Sequence, residues 1–407
     1  MKKQDQQQTL PRIVGVDAHS EKLVLCILQP ALNGRSRDAV KLKTINCEVD
    51  RLEETFKKQT LPNDEIILEA STNSFSIVSR LKKIYRCATV IKSESVCGMS
   101  RKDKINDAVD AENIARFWLT GTAETVWTPD ETTGIYRDIL FGYRNATKDK
   151  VRASNRIWAF CSAHGFRLPA RSRKQKVEAV RKQVLEFNWD KTMRFFIENL
   201  LKDYEHFCDL RNSFLQKIYE IVSTNESMLR AMEILGIRAI GAFAVVAFVG
   251  DISRFASAKK LVAYIGLNPS VCESGKYKNI RRTSPFGIRL LKSILVECAQ
   301  SAFRTGKSNA HRWARKLSIF KGYQKAIVAL ARKMVCYLFH ALRGDPCPNL
   351  ETPQGYETKL QKIASCLGKS TLKSRGFATQ RDWIDSILAT RNLSTSFSPL
   401  KKILPIS

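Results

Sequence analysis

The sequence predicts two structural classes in one chain, a mixed α/β domain followed by a mainly helical region. Over the first 126 residues, short apolar runs alternate with amphipathic segments, which is the pattern of strands and helices packed in layers. In most of the remaining chain, apolar residues recur at helical spacing. A chain of 407 residues is long enough for two or three domains with a sizeable core.

The α/β prediction depends on a small set of elements. Residues 12–28 read as two strands around a tight turn, and because both halves are almost continuously apolar, we expect both faces of the sheet to be covered. Residues 65–70 and 87–91 read as further strands, with an amphipathic helix over residues 75–85 between them. Residues 104–117 read as a second helix, since their apolar positions recur at helical spacing.

Four carboxylates stand out in this domain. Asp17 lies inside an apolar strand, Glu69 ends another, and Asp107 and Asp110 point the same way from consecutive turns of one helix. If the two strands are neighbours, all four side chains converge at one edge of the sheet. Clustered carboxylates are costly unless a cation neutralises them, and Mg²⁺ is the hard, oxygen-seeking ion for such a set. Each acid alone is commonly a turn or cap residue, so the prediction of a magnesium site depends on the four together.

The net charge of +29 favours a polyanionic partner. Between residues 274 and 344 the only acid is Glu297, against sixteen lysines and arginines. From residue 137 to residue 182 there are thirteen basic residues and three acids. A solvated basic surface is the alternative, but runs on this scale favour a nucleic acid.

A basic helix is predicted after the Trp127-Thr128-Pro129 break. Its cations fall at roughly helical intervals among aromatic residues, and arginines interleaved with aromatics suit contact with an RNA or DNA backbone. A solvated helix that packs its aromatics inward is the alternative. The predicted phosphate contacts are Arg137, Arg144, Lys148, Arg152 and Arg156.

A heptad seam follows the basic helix. From Met193 to Ile221, apolar residues alternate in steps of four and three, with Arg211 as the one polar interruption. The seam could pack inside one chain as a helical hairpin, or it could be a contact between subunits.

Two features of the later sequence are typical of proteins that bind or cleave phosphodiesters. Residues 233–255 hold Gly236 and Gly241 around a short turn between apolar helices, which resembles a helix-hairpin-helix that grips phosphate with backbone N–H groups. Further on, Ser274 lies in a predicted loop; a serine amid cations could be a nucleophile, although a Ser-Gly pair is more often only a turn. The neighbouring cations are Lys276, Lys278, Arg281 and Arg282.

The cysteines and histidines predict neither a zinc site nor a disulfide framework. The eleven cysteines form no Cys-x-x-Cys pair, and the five histidines are scattered along the chain. Buried free thiols in a reducing cytoplasm are the plain interpretation. No apolar run is long enough to span a membrane, and the N-terminus lacks the apolar region of a signal peptide. We therefore expect a cytoplasmic protein.

Four motifs in this order resemble the DEDD transposases of the insertion sequence one-ten family, the recombinases guided by a bridge RNA. The resemblance runs from about residue 12 to residue 343. The motifs are Val-Gly-Val-Asp17-Ala-His, Leu-Glu69-Ala, Asn-Asp107-Ala-Val-Asp110-Ala-Glu, and Tyr-Ile-Gly-Leu-Asn-Pro with Glu-Ser274-Gly after it.

The resemblance implies a domain order and a composite site. It implies a RuvC-like, RNase H-type domain over residues 1–126 that carries the four acids, a basic helical and coiled-coil region over residues 127–230, and a mainly helical transposase domain with the serine loop over residues 231–344. It leaves residues 345–407 as an extension of unknown role. In such a site Ser274 forms a covalent phosphoserine link with DNA while the acids hold Mg²⁺. The implied partners are donor and target DNA, a structured guide RNA, and further copies of the chain in dimers that assemble to a tetramer.

The sequence departs from the family pattern beside the serine. Glu273 stands where a small polar residue is common, and only one glycine follows Ser274. Other functions therefore stay open. A RuvC-type metal-dependent nuclease or junction resolvase would need the four acids and water but not Ser274, a DNA invertase could act without a guide RNA, and a non-catalytic nucleic-acid binder would need neither site.

Overall fold

The fold was obtained as a computed structural model with two compact units, residues 1–132 and 133–407. The first unit is mixed α/β, and the described part of the second is helical apart from one β-hairpin, so the predicted fold classes are confirmed at this level. The described residues are 10–31, 38–92, 106–169, 177–274, 277–284, 286–305, 308–345 and 351–391, without the side chains of residues 270–282.

A six-stranded sheet forms the centre of the first unit. In chain order its elements are β1 (Ile13–Ala18), β2 (Lys22–Gln29), β3 (Val40–Glu48), α1 (Leu52–Gln59), β4 (Glu65–Glu69), α2 (Ser74–Lys83), β5 (Ala88–Ile91), α3 (Asp107–Trp118) and β6 (Thr125–Val126). The strand order is β3-β2-β1-β4-β5-β6. β1, β2 and β3 pair antiparallel, β4 and β5 run parallel to β1, and β6 is antiparallel to β5. β1 and β4 are therefore neighbours, as convergence of the acids requires.

Both faces of this sheet are buried, which explains why β1 and β2 are apolar throughout. Val14 and Val16 enter a core shared with α1 and α2 on one face. Ile13 and Ile67 enter a second core beneath α3 on the other face. Burial of one such aliphatic side chain stabilises the fold by roughly 1.5–3 kcal/mol. The expectation that both faces are covered is confirmed.

The described part of the second unit consists of helices and one hairpin. Its elements are α4 (Glu131–Ala163), α5 (Val177–Leu185), α6 (Lys191–Val222), α7 (Glu226–Met232), α8 (Ala239–Val249), α9 (Ala258–Ile265), β7 (Pro269–Ser274), β8 (Tyr277–Thr283), α10 (Arg289–Thr305), α11 (Asn309–Lys321), α12 (Tyr323–Arg343), α13 (Pro353–Ser374) and α14 (Gln380–Thr390).

The heptad seam lies on α6 and packs against α4 of the same chain. Ile197 and Tyr204 share a core with Ile157 of α4. Arg211, the polar interruption, donates to the hydroxyl of Tyr143 at 3.2 Å and stacks over its ring. The seam is therefore buried within the chain, the first of the two arrangements that the spacing allows, and a contact between subunits stays a prediction.

The turn between α7 and α8 requires its glycine. Gly236 has φ +84°, and a Cβ there would lie 2.5 Å from the Cβ of Ala302. Gly241, which the sequence places beside the turn, lies inside α8, where its missing side chain admits the Sγ of Cys298. The structure thus has the predicted helix–turn–helix, while a phosphate grip at this turn stays a prediction.

Two helices of the C-terminal extension complete the core of the second unit. Tyr356 of α13 and Trp383 of α14 are buried in the core that includes α8 and α12. The ammonium of Lys359 donates to the carbonyls of Met232 at 2.7 Å and Ile234 at 3.0 Å, and it lies 3.0 Å from a Glu351 carboxylate oxygen. These carbonyls follow the end of α7, where a cation is favoured. Burial lowers the pKa of Lys359, so the Glu351 charge and the two carbonyls are what keep its ammonium in place.

The predicted burial of the cysteines holds for part of the set. Of the eight cysteines whose side chains are described, four are buried, three are half-buried and Cys87 is exposed. Burial raises the pKa of Cys161 to about 11, so this thiol is unreactive at neutral pH. None of the described helices is both long enough and apolar enough to cross a bilayer.

Candidate functional site

The strand order brings Asp17 and Glu69 to one edge of the sheet. β1 and β4 are parallel, with Val16 opposite Leu68, so Asp17 and Glu69 are the next residues of their strands. Both belong to the alternation that faces α3, because the odd-numbered residues of these strands enter the core beneath that helix. The two acids therefore start from adjacent positions on the same face.

A glycine in β1 sets the distance between α3 and the sheet. A Cβ on Gly15 would lie 2.1 Å from the carbonyl oxygen of Ala111 and 2.8 Å from the amide nitrogen of Ala115. The backbone of the helix therefore rests directly on the strand, which a side chain at this position would prevent. Asp107 lies about one turn before Ala111. The contact at Gly15 therefore places the first turn of α3 near the end of β1.

Replacing Gly15 by alanine should push α3 away from the sheet. The added methyl group would meet backbone atoms that cannot rotate aside, so we expect the free energy of unfolding to fall by about 1–3 kcal/mol or more. Urea unfolding followed by circular dichroism measures this loss. Gly134→Ala is the control, because a Cβ there meets nothing within 4 Å and the change should be neutral or slightly stabilising. Equal stability of the two variants would contradict the proposed role of Gly15.

His19 joins the acidic cluster. Its Nε2 lies 3.2 Å from Oδ2 of Asp17 and 3.5 Å from Oδ1 of Asp107. The side chain is about half exposed, at 53%. The sequence-based prediction treats it as one of several scattered histidines and assigns it no role. The signal that could have found it is its position two residues after Asp17, a spacing that returns a strand side chain to the same face.

The repulsion within the cluster destabilises the ionised form of Asp17. Burial raises the pKa of Asp17, the charges of Asp107 and Asp110 raise it further, and His19 acts in the opposite direction. A raised carboxyl pKa means that the ionised form is destabilised in this position. A bound cation would reverse the repulsion among the three acids.

The two acids of α3 occupy its first turn. The spacing predicts a helix from residue 104, but in the described residues the helix begins at Asp107, and Asn106 caps it by accepting a hydrogen bond from the amide of Ala108. Acids in a first turn are favoured by the helix dipole, by about 0.3–1 kcal/mol each. The helix itself therefore offsets part of the repulsion between Asp107 and Asp110. The approach of Asp17 from a separate strand adds a repulsion that the dipole of α3 does not offset.

The cluster has the dimensions of a metal site. In the described part of the chain, ligand atoms of Asp17, His19 and Asp107 lie within 4.8 Å of one another. The carboxylates fit Mg²⁺, whereas the imidazole is a donor that transition metals accept more readily. Glu69, on the adjacent strand, and Asp110, in the same turn of α3 as Asp107, are the nearby oxygen donors that could complete the set.

A polar cleft of about 660 Å³ opens beside Asp107. Its walls include the cations Lys22 and Arg51, the hydroxyl of Thr44 and the carboxylate of Glu48. Arg51 lies 4.0 Å from Glu48, so its charge is partly matched, whereas Lys22 is exposed. Cations in a cleft that leads to a carboxylate cluster can bind the phosphates of a strand whose reacting phosphate sits at the cluster.

The structure places Ser274 at the end of a strand. The sequence predicts a loop, but Ser274 is the last residue of β7, and its backbone pairs with Tyr277 at the start of β8. Strands occur in this region, which was predicted as mainly helical, because β7 and β8 contain β-branched and aromatic residues such as Val271, Tyr277 and Ile280. The side chains of Ser274 and its predicted partners Lys278, Arg281 and Arg282 lie outside the described residues, as does all of Lys276.

The five predicted phosphate contacts of α4 differ in their surroundings. Arg137 donates to the carbonyl of Ala247 at 2.9 Å, and Arg144 lies 3.6 Å from Glu297, so both are bonded within the second unit. The other three lie on α4 at its surface, where ion pairs hold such side chains only weakly. They are Lys148, Arg152 and Arg156.

Comparison with known proteins finds that the central segment is similar to transposases. Residues 228–314 match the family described as "Transposase IS116/IS110/IS902 family". The chain is similar to the transposase for insertion sequence element IS1111A of Coxiella burnetii, with 31% identity over 121 residues, 29% of this chain and 33% of that protein. It is also similar to the transposase for insertion sequence element IS1328 of Yersinia enterocolitica, with 22% identity over 255 residues, 61% of this chain and 74% of that protein.

The matched segment contains the turn at Gly236 and the hairpin of β7 and β8, in which Ser274 is the last residue of β7. The match with the Coxiella protein spans about a third of that protein's length. Transposase relatives match over lengths greater than this segment, which supports the transposase part of the resemblance inferred from the motifs. Through this segment the chain is similar to the transposases of the IS116/IS110/IS902 family.

Proposed function

We propose that the chain is a DNA transposase, a site-specific recombinase of an insertion sequence that cleaves and rejoins DNA strands. The observation that carries this proposal is the approach of Asp17, His19 and Asp107 in one ligand group, in a chain that also holds a transposase-family segment. The mixed sheet, with acids at the carboxyl ends of β1 and β4, supports a RuvC-like assignment for the first unit.

The carboxylates hold the divalent cation in this proposal. Asp17 and Asp107 are the first ligands, with Glu69 and Asp110 as the further oxygen donors. Mg²⁺, when bound, would polarise a phosphodiester oxygen and neutralise the charge that develops there. The chain's own contribution is to hold these oxygens close despite their repulsion, through the contact of Gly15 with α3.

Ser274 supplies the nucleophile. Its hydroxyl oxygen bonds to phosphorus while the bond from phosphorus to a deoxyribose oxygen breaks, and the hydroxyl proton ends on the leaving oxygen. Attack on this phosphoserine by a hydroxyl of another strand releases the serine and rejoins the DNA. The position of Ser274 within the family segment and the run of cations after it support this role. A nearby positive charge stabilises the developing negative charge on the phosphate.

A structured RNA is the proposed guide, and homodimers that assemble to a tetramer are the proposed working form. The net charge of +29 supports a second polyanion beside DNA. The surface cations of α4 are the proposed phosphate contacts for it. Sequencing RNA that co-purifies with the protein tests the guide directly, because a discrete RNA encoded beside the gene is expected, whereas only random cellular RNA would contradict it.

Replacing Lys148, Arg152 and Arg156 together by glutamine should weaken RNA binding and flatten its salt dependence. Each phosphate contact that is lost should lower the slope of log affinity against log salt by roughly 0.7–0.9. Filter binding over a salt series measures the slope. An unchanged slope in this variant would place the RNA on another surface. The control makes the same change of charge at three exposed lysines of the first unit, which are Lys57, Lys58 and Lys82.

The activity test uses DNA that flanks the gene. The protein, with its co-purified RNA, is incubated with this DNA in Mg²⁺ or in EDTA, and the strands are separated on a denaturing gel. Cleavage and rejoining that require the divalent cation are expected. If neither occurs with any combination of flanking DNA and RNA, the proposed activity is wrong.

A metal-dependent nuclease or junction resolvase is the second candidate. The described ligand group lies entirely within the first unit, so cleavage by water at that group needs no residue of the second. Cleavage without a covalent protein–DNA adduct would favour this candidate over the recombinase.

A further inference from the structure

The corner between α11 and α12 exposes large apolar side chains to solvent. Ile319 is 80% exposed and Phe320 is 83% exposed, and Tyr323, across the turn, is 46% exposed. Gly322 makes the turn with φ +79°. We call residues 319–323 the α11 corner. Single exposed apolar residues are common, but adjacent ones at a projecting turn indicate a contact surface.

The helix that leads to this corner is divided into a buried face and a basic face. Ala310, His311 and Ala314 are buried. The exposed positions recur at steps of three and four, so they form one stripe along the helix that begins with cations and ends with apolar side chains. The stripe consists of Arg312, Arg315, Lys316, Ile319 and Phe320.

The surroundings of the corner are positively charged. Residues 309–325 contain five lysines and arginines and no acid. The hydrogen bonds of the two arginines go to neutral groups, from Arg312 to the side chain of Asn309 and from Arg315 to the carbonyls of Phe303 and Arg304. Their charges therefore remain available to an anionic partner.

Charge and shape together select the class of partner. A second copy of this chain would bring its own net charge of +29 to the corner, so like charges oppose that contact. A nucleic acid strand offers phosphates for the cations and the flat apolar faces of unstacked bases for Phe320 and Ile319. Paired and stacked bases do not offer those faces.

We propose that the α11 corner binds unstacked bases of a nucleic acid strand. Phe320 stacks on a base, Ile319 packs beside it, and Lys316 and Arg312 contact the flanking phosphates. The inference requires nucleic-acid binding but no catalysis, so it can fail or succeed independently of the metal site and of Ser274.

Phe320→Ala is the direct test. Binding of labelled single-stranded DNA, single-stranded RNA and duplex DNA of equal length is measured by fluorescence anisotropy in EDTA, where metal-dependent cleavage cannot intervene. Loss of one stacked base should weaken binding of the preferred single strand by roughly 5- to 150-fold. Duplex binding should change little. The strand type with the larger loss identifies whether the corner serves DNA or RNA.

Further variants separate stacking from other roles. Phe320→Trp should keep the affinity and Phe320→Leu should lose most of it, since only the former retains a ring. The log affinity–log salt slope should stay unchanged in Phe320→Ala but fall by roughly 0.7 in Lys316→Gln. Phe195→Ala is the matched control, because Phe195 is 72% exposed on α6, away from the stripe, and should bind all strands as the unaltered protein does.

Equal affinity of Phe320→Ala and the unaltered protein for all three nucleic acids would overturn the proposal. If Phe320→Ala also has a lower mass in light scattering, the corner is instead a contact between copies of the chain.

Discussion

Asp107→Asn should abolish metal-dependent DNA cleavage and leave the fold intact. The side chain of Asp107 is 56% exposed, and asparagine has the same size, so packing is unaffected. The change removes a negative charge and one oxygen donor from the proposed metal site. We expect cleavage to fall by roughly 10²-fold or more, the effect of several kcal/mol of lost charge stabilisation.

The control must remove the same charge from the same unit without touching the cluster. Glu54→Gln does so, because Glu54 is exposed on α1, which packs on the opposite face of the sheet. Its cleavage rate should equal that of the unaltered protein. Isothermal titration with Mn²⁺ gives a readout that does not depend on activity, and Asp107→Asn should bind the ion more weakly. Cleavage at the original rate in Asp107→Asn would remove this residue from the site.

Asp17→Asn should also abolish cleavage, and unlike Asp107→Asn it should stabilise the fold in the absence of metal. Burial and two neighbouring acids raise the pKa of Asp17, so the ionised form lowers the stability of the folded state at neutral pH. A neutral asparagine removes this cost, and without metal the variant should unfold at higher urea concentration than the unaltered protein. The difference should vanish as the pH falls below the ordinary pKa of an aspartate, where both proteins are neutral at this position.

Four of the six strands, β1, β2, β4 and β5, could be predicted because they depend on local patterns, whereas β3 and β6 were missed. Continuous apolar runs in β1 and β2 indicate two covered faces, and the period of two within a strand fixes which face each residue takes. An acid that interrupts such a run, as Asp17 does, marks the end of the buried segment. The helical character of α3 followed from the spacing of its apolar residues, although the exact start of the helix and its approach to the sheet did not.

The remaining features depend on contacts between distant residues, which spacing does not reveal. The contact of His19 with Asp107 depends on how α3 rests on Gly15, although its contact with Asp17 is local. The seam on α6 had two possible partners, and the packing of Tyr204 and Arg211 against α4 selected the one within the chain. The buried position of Lys359 depends on distant partners, the carbonyls of Met232 and Ile234 at the end of α7.

Ser274→Ala should remove the covalent protein–DNA adduct and recombination, while binding to RNA and DNA persists. The alanine lacks the oxygen that would bond to phosphorus, so no phosphoserine can form. The backbone pairing of residue 274 with Tyr277 does not involve the side chain, so the hairpin should be retained. The adduct is measured on a denaturing gel as a DNA band of reduced mobility that disappears after protease treatment, and its loss should be complete.

Two further variants test whether the adduct requires the oxygen of Ser274 itself. Ser274→Cys replaces oxygen by sulfur at the same atom and should retain at most a trace of adduct, because the geometry of attack changes with the larger atom. Ser213→Ala, at an exposed serine on α6 of the same unit, should form the adduct at the original rate. If Ser274→Ala forms the same adduct as the unaltered protein, another residue is the nucleophile. If no protein forms an adduct but Asp107→Asn still loses cleavage, water is the nucleophile at the acidic cluster, and the chain acts as a metal-dependent nuclease or resolvase.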